Sequence, residues 1–495
     1  MPIETNGKIP FMTDRALRFS GRDIDVPFRI GLNCSDVGRS EVICTEILRL
    51  LPGKRLVCAG KWEGRHIVVK IFLDSVRGKY HFYRERRGYV ALSEAGIKVP
   101  PVLFSGTVFS GKSPAIGFLR LTDAHDFSEV WKDTKDDNQR VRILCRIVLL
   151  IADQHEAGLK QDDPHLANFL VDNDEIYSID NDTVDTGHKG VPLSRHASIK
   201  NLGLFFAQFD PEFDPIIKIA FGLYAKIRLW SEVSRSLLMK EVSRYRKKRL
   251  DAYLKKIFRM CTAFECKKNF TRYQVCSRQY CESMQGFFDD PDGKIDKGRF
   301  LKRGNSSTVV LLEEGGKTFV VKRYNIKGLW HGVKRAFTPS RARRSWKNAH
   351  MLMSMNISTP SPVALIEKRF GPFRSTAYLV TEFVDGMDAH NLFHSNMVRY
   401  PDDSCIVDRF SHLFRSFADK GIVHGDLKAI NFIVRRDSLF ITDLDSMKVC
   451  RSRWFFHRAF KRDIRRFMKN WAGLDKWKKL FEKRLMSDNI IRSFL

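Results

Sequence analysis

At 495 residues the chain exceeds the roughly 250–300 residues at which a single core stops growing, so one ordinary domain is excluded and two are expected. Hydrophobic residues at 43% and aromatic residues at 12% exclude a disordered chain. A net charge of +29 implies a polyanionic partner, whether nucleic acid, an anionic membrane surface or a phosphorylated substrate; residues 296–495 carry 39 Lys and Arg against 19 Asp and Glu, so the basic face belongs mainly to the C-terminal part.

The N-terminus, from Met1 through Ile3, Lys8 and Phe11 to Arg15, has no apolar core of signal-peptide type, and no run approaches about 18 apolar residues. A cytosolic protein is expected, with peripheral attachment to a membrane left open. Residues 48–72 read as an antiparallel meander broken at Pro52-Gly53 and Glu63-Gly64 and ending in Ile67-Val68-Val69-Lys70-Ile71-Phe72. A helix is expected over 80–95, stopped by Gly96 with Pro100-Pro101 beyond.

Further on stand Gln161-Asp162-Asp163-Pro164-His165-Leu166-Ala167-Asn168 and then Ile179-Asp180-Asn181-Asp182. Phosphoryl transfer needs a cation on the nucleotide phosphates, carboxylate and amide oxygens on a metal, and an acid aimed at the acceptor hydroxyl. Lys70 supplies the first, Asn168 and Asp180 the second and Asp163 the third, with His165 beside them. Glu85, on the following helix, is the expected ion-pair partner of Lys70.

Cys261, Cys266, Cys276 and Cys281 are separated by four, nine and four residues. A zinc knuckle prefers two, and the segment reads as a helix, so reduced thiols are the expectation for the ten cysteines. Residues 286–298, with Asp289-Asp290-Pro291-Asp292-Gly293-Lys294, read as a turn-rich linker. A calcium loop centred on Gly293 would have Phe288 first and Arg299 twelfth, where carboxylates are required.

The order then repeats. Strands are expected over 300–312 and 318–324, ending in Phe319-Val320-Val321-Lys322-Arg323-Tyr324, followed by a helix over 342–355 and by His424-Gly425-Asp426-Leu427-Lys428-Ala429-Ile430-Asn431 and Ile441-Thr442-Asp443-Leu444-Asp445. Here Lys322 would meet the phosphates, Asp426 the acceptor proton, Asn431 and Asp443 the Mg²⁺, and Lys428 the transferring group. No Asp or Glu lies between Lys322 and Glu367, so Lys322 either has a different partner or serves a weak centre, with Ser345 or Asn348 near the place of a helix carboxylate. Lys327, Lys334, Arg335, Arg341, Arg343 and Arg344 in that stretch read as a solvated face or as a patch for phosphates and carboxylates. The stripe Phe460, Ile464, Phe467, Met468 and Trp471 reads as C-terminal core packing or as an interfacial helix.

With Ser340-Arg341-Ala342-Arg343-Arg344-Ser345-Trp346-Lys347-Asn348-Ala349-His350, residues 424–431 and Asp443-Leu444-Asp445, the second half resembles the lipopolysaccharide core kinases of heptose or Kdo sugars, within the protein-kinase-like superfamily. The first half resembles a branch of the same broad family in which Gln161 replaces the usual His. The resemblance covers about residues 45–283 and 296–495. It implies an α+β fold of two tandem protein-kinase-like bilobal modules, each a small antiparallel β N-lobe and a mainly helical C-lobe. The expected divisions are an N-terminal extension (1–44), module 1 (45–285), a linker (286–298) and module 2 (299–495). It also implies ATP and Mg²⁺ as cofactors and an anionic glycolipid acceptor, with heptose of the inner core as the sugar, at the cytoplasmic face of the inner membrane. The competing readings are a kinase of another small hydroxylated molecule, which the basic surface disfavours, and a kinase-derived scaffold. No specific nucleic-acid partner is expected.

Overall fold

The computed structural model describes residues 9–494 apart from 22–23, 36, 110, 174, 232–233, 326–337, 372, 396–402 and 437. Lys327, Lys334 and Arg335 of the basic stretch, and Met1, Ile3 and Lys8, lie outside the described residues. The chain mixes helix and sheet and divides into two compact units between Lys247 and Lys248.

In the first unit, six antiparallel strands close into a barrel: Phe28–Cys34, Gly38–Leu51, Arg55–Trp62, Arg65–Phe72, Pro114–Leu119 and Val102–Val108, the last pairing back onto the first. Of the expected extension 1–44, Phe28–Cys34 and the start of Gly38–Leu51 are therefore part of the β structure, because Phe28, Ile30, Leu32, Val42 and Cys44 alternate inward and fill the barrel core. The fourteen-residue strand Gly38–Leu51 turns the corner through two register shifts, at Cys44/Glu46 and Ile47/Arg49. Opposite them, a Cβ on Gly60 would sit 2.1 Å from the Ile43 carbonyl oxygen, so a side chain is excluded there. Helix Gly78–Glu94 follows, and then a mainly helical part around Asp137–Glu156, Arg195–Phe206 and Asp214–Ile227. Asp136 starts the first of these by accepting from Asn138 N and Gln139 N at 3.2 and 3.1 Å. Leu144, Ile147, Val148 and Ile151 then pack at helical spacing against Leu202, Phe205 and Phe221.

In the second unit, one antiparallel seven-stranded sheet runs in the order Phe264–Lys268, Arg272–Ser277, Pro362–Phe370, Phe373–Glu382, Lys317–Tyr324, Ser307–Glu314 and Arg299–Arg303. The expected boundary at 286–298 differs from this division. The hairpin formed by the first two strands hydrogen-bonds to Pro362–Phe370 and so belongs to the second unit. Residues 286–298 fall largely into two short helices, Gln285–Asp289 and Pro291–Lys297. Asp290 caps by accepting from Gly293 N at 3.0 Å, and Pro291 takes the first turn of Pro291–Lys297, where it needs no amide hydrogen. The Asp-Pro-Asp-Gly signal for a turn was thus a helix start.

The same hairpin corrects the helix expected across the four cysteines. Cys266 faces Val275 and Cys276 faces Glu265 across the ladder, and all ten cysteines are free thiols. Helix Arg341–Met353, capped by Ser340, buries Trp346 and His350. Helices Asp403–Lys420, Arg453–Lys469 and Asp475–Ser487 complete the unit, with Phe460, Ile464, Phe467 and Trp471 in its core. The C-terminal aromatic stripe therefore packs inward, although Trp454 and Phe455 remain 62% and 63% exposed. Among the described residues no helix is long and apolar enough to cross a membrane.

Candidate functional site

Each unit gathers its charged residues where its β part meets the loops of its helical part. In the first unit, strand Arg65–Phe72 lies between two neighbours, so its pairing fixes the direction of Lys70. Lys70 Nζ lies 2.7 Å from Glu85 Oε1, on Gly78–Glu94, and 3.3 Å from Asp180 Oδ1. Burial opposes the charged ammonium, but the Glu85 and Asp180 carboxylates outweigh it and hold Lys70 above the usual lysine value. Asp180 also meets Arg55 at 3.0 Å and Arg49 at 3.5 Å. Its own burial pushes the carboxyl up, and Lys70 and Arg55 more than reverse this, leaving it below the usual carboxylate range.

Asp180 sits at φ 59°, ψ 56°, a left-handed conformation that strains a side chain with a Cβ and that persists where surrounding contacts fix it. Two contacts do so here. Asn181 N donates to Glu85 Oε1 at 3.2 Å, and Ile179 N donates to Asn168 O at 2.9 Å. Asn168 Nδ2 in turn donates to Asp163 O at 3.0 Å, which ties the Asp163 loop to the Asp180 turn. Asp163 and His165 are exposed on that loop.

One turn beyond Glu85, a Cβ on Gly88 would lie 2.1 Å from Asn181 O, so helix and Asp180 turn meet backbone to backbone. In a free helix Gly→Ala adds about 1 kcal/mol of stability. Here Gly88→Ala is expected to destabilise the first unit by about 1–3 kcal/mol through overpacking, with the lower midpoint read by urea unfolding.

The loop is also fixed from behind. Gln161 donates to Ser178 Oγ at 2.8 Å, and its backbone carbonyl accepts from Asn201 Nδ2 at 2.7 Å. The Asn201 oxygen faces His155 Nε2 at 3.0 Å, while His155 Nδ1 meets the Tyr224 hydroxyl at 2.8 Å, an arrangement suited to a neutral imidazole. Burial takes His155 from the ordinary 6.5 down to about 4. A histidine with a lowered folded pKa contributes fully above 6.5 and loses that contribution as pH falls toward 4, since the unfolded chain then binds the proton first. The melting temperature is therefore expected to drop over this window, and His155→Gln to flatten the drop.

The second unit repeats the geometry with other partners. Lys322 Nζ lies 2.5 Å from Asp443 Oδ1, and Asp443 has the same left-handed backbone, φ 57°, ψ 53°. Burial raises its pKa, but Lys322 above all, then Arg341 and His424, bring it below the usual range. Thr442 N donates to Asn431 O at 2.8 Å, and Asn431 Nδ2 to Asp426 O at 2.8 Å. His424 Nε2 meets Thr442 O at 2.9 Å. Asp426 Oδ1 pairs with Arg466 at 3.1 Å and Lys428 at 3.2 Å, and Asp463 accepts from Gly425 N at 2.9 Å.

A serine stands where the second unit lacks a helix carboxylate. In the first unit His81 lies 3.4 Å from Asp182, with Glu85 one turn later and Gly88 against Asn181. In the second unit Arg341 meets Asp445 at 2.6 Å, Ser345 follows one turn later, and Asn348 donates to Leu444 O at 2.8 Å. Ser345 thus occupies the place of Glu85. It faces the Tyr324 hydroxyl at 3.1 Å, and the Tyr324 ring lies 5.1 Å from both Lys322 Nζ and the Arg341 guanidinium.

Several of these residues carry no clear signal in the sequence. Arg49 and Arg55 are two of four cations in their strand pair, with Arg39 and Lys61. Arg341 reads as one of many surface charges until its pairing with Asp445 is seen. Asp463 was legible in principle, as the one acid in Arg453–Lys469.

The donor sets suit a divalent cation. The ligand atoms of Glu85, Asp180 and Asp182 all lie within 4.8 Å of one another, and this is the cluster of metal-binding type found among the described residues. Neither the Asn168 nor the Asn431 side-chain oxygen accepts a hydrogen bond among the described residues, so each amide is pinned by its nitrogen with its oxygen free for a hard cation.

Residues 295–486 match the model of the lipopolysaccharide kinase (Kdo/WaaP) family. The resemblance read from the sequence therefore holds for the second unit, which carries the kinase relationship. Among solved structures, one described as "WaaP in complex with acyl carrier protein" is similar at 18% identity and a TM-score of 0.30, covering 41% of this chain and 88% of that one. The M. tuberculosis PknI kinase domain is similar at 12% identity and a TM-score of 0.26, covering 37% and 72%. No curated protein matches the chain.

Proposed function

We propose that the chain transfers the γ-phosphoryl group of ATP to a sugar hydroxyl of the lipopolysaccharide inner core, with heptose as the sugar, and that its two units are tandem kinase-like modules. The observation that carries this reading is the joined set in the second unit, in which Lys322, Asp443, Asn431 and Asp426 are linked by one ion pair and two hydrogen bonds. In this reading Asp426 orients the acceptor hydroxyl and takes its proton, while Lys428 and Arg466 stand beside it to meet phosphoryl oxygens. Lys322 receives the nucleotide phosphates. Asn431 and Asp443 would hold Mg²⁺, which when bound supplies charge neutralisation on the phosphates. In the first unit the same roles fall to Asp163, Lys70, Asn168 and Asp180, with His165 in the place of Lys428 and Glu85 fixing Lys70.

A site of action at the cytoplasmic face of the inner membrane is supported by the surplus of cations in the second unit. Its exposed Trp454 and Phe455 lie next to Arg453 and Arg451 in sequence and suit contact with an anionic lipid surface. The scaffold reading gains support for the first unit only, because the Asp180 carboxylate is engaged by Lys70, Arg55 and Arg49 together. A variant series separates the two. With purified core oligosaccharide, Asp426→Asn should remove ATP-dependent phosphate incorporation, and Asp163→Asn should lower it only if the first unit turns over. Unchanged incorporation in the double variant would defeat the enzyme reading.

A further inference from the structure

A cavity of about 460 Å³ lies in the second unit apart from the Lys322 and Asp426 set, and Arg259, Lys268, Arg343, Arg369 and Arg374 line it around Glu367. Glu367 is 2% exposed. Its Oε2 lies 3.2 Å from Arg343, whereas its Oε1 is 3.7 Å from Arg374 and has no hydrogen-bond partner. The Arg343 guanidinium is fixed over the rings of Phe258 at 4.1 Å and Tyr273 at 4.9 Å. Arg259 and Lys268 have no carboxylate partner among the described residues.

Five cations against one carboxylate call for an anion, and the orphaned Glu367 oxygen calls for a hydrogen-bond donor. A fully ionised phosphate meets the first demand and not the second; a neutral sugar does the reverse. A single small ligand carrying both groups meets both, and the cavity has the size of a small-molecule site. We propose that this cavity binds a phosphorylated or carboxylated sugar, with Arg259, Lys268 and Arg343 on the anion and Glu367 Oε1 accepting from a ring hydroxyl. The inference deepens the proposed function, and rests on it only where the sugar comes from the glycolipid acceptor.

Calorimetric titration of the full chain tests it, with glucose 6-phosphate, glucose, inorganic phosphate and phosphorylated core oligosaccharide as probes. Glucose 6-phosphate is expected to bind more tightly than either glucose or phosphate. Arg259→Ala with Lys268→Ala is expected to weaken that binding at least about tenfold, since both cations leave without exposing a buried partner. Asp426→Asn should bind glucose 6-phosphate as wild type does, so the cavity stands or falls independently of transfer activity. Tighter binding of the core oligosaccharide would assign the acceptor as the source, and tighter binding of glucose 6-phosphate a free sugar phosphate. An unchanged affinity in the double variant, or glucose 6-phosphate binding no better than inorganic phosphate, overturns the proposal.

Discussion

Asp443→Asn is expected to lower phosphate transfer to the acceptor by about 10³-fold while leaving the fold intact. The carboxylate is about one third exposed, and Asn preserves its shape, so little packing is lost. What disappears is the charge. Asp443 carries both the expected metal contact and the ion pair to Lys322, and no helix carboxylate stands behind it, because Ser345 occupies that place. The first unit is built differently. Asp180→Asn there leaves Lys70 paired to Glu85 at 2.7 Å, so the lysine stays in position when the proposed metal contact goes. Turnover and the ATP KM, measured beside the melting temperature, distinguish the two situations. A second-unit variant that keeps its rate to within about threefold would remove Asp443 from the chemistry.

The largest expected loss of stability follows Arg341→Met, at about 3 kcal/mol. Arg341 Nε and Nη2 reach one oxygen of Asp445 at 2.7 and 2.6 Å, and Asp445 is 5% exposed. Its other oxygen is met by Ser446 Oγ at 3.0 Å. Without the guanidinium a carboxylate stays buried beside one hydroxyl, a more costly state than the loss of a surface pair. Arg341→Lys should recover part of the loss, since one ammonium replaces two directed N–H groups. Urea unfolding reads the order directly: wild type, then Lys, then Met. If Met matches wild type, the Asp445 pair has no structural role.

The ordered sets of Lys, Asp, Asn and Asp were legible as a repeated pattern, because residue type, order and spacing stand in the sequence itself; the phosphate and metal roles proposed for them rest on chemistry that admits few residue types. The structure joins both sets through backbone links that no spacing rule contains, such as Ile179 N to Asn168 O and Thr442 N to Asn431 O. The left-handed turns at Asp180 and Asp443 were hidden for a similar reason, since an Asp before Asn or Leu gives no hint of positive φ.

The unit boundary was misread from composition. Asp290-Pro291 has the residues of a turn, and only tertiary pairing shows that the hairpin spanning Phe264–Lys268 and Arg272–Ser277 belongs with Pro362–Phe370. The first two barrel strands escaped notice because Gly38–Leu51 alternates imperfectly, its register slipping twice. The acid-free stretch after Lys322 was the most informative departure. It marked the site where the second unit has Ser345 in the place of a helix carboxylate, beside the Arg341–Asp445 pair that answers to His81–Asp182 in the first unit.

The most direct measurement is phosphorus NMR of purified inner-core oligosaccharide incubated with the full chain and Mg²⁺-ATP. A new phosphomonoester resonance coupled to a heptose proton, absent with the Asp163→Asn and Asp426→Asn double variant, is the predicted result. ATP consumption without any new sugar phosphomonoester, or the same resonance from the double variant, would contradict it.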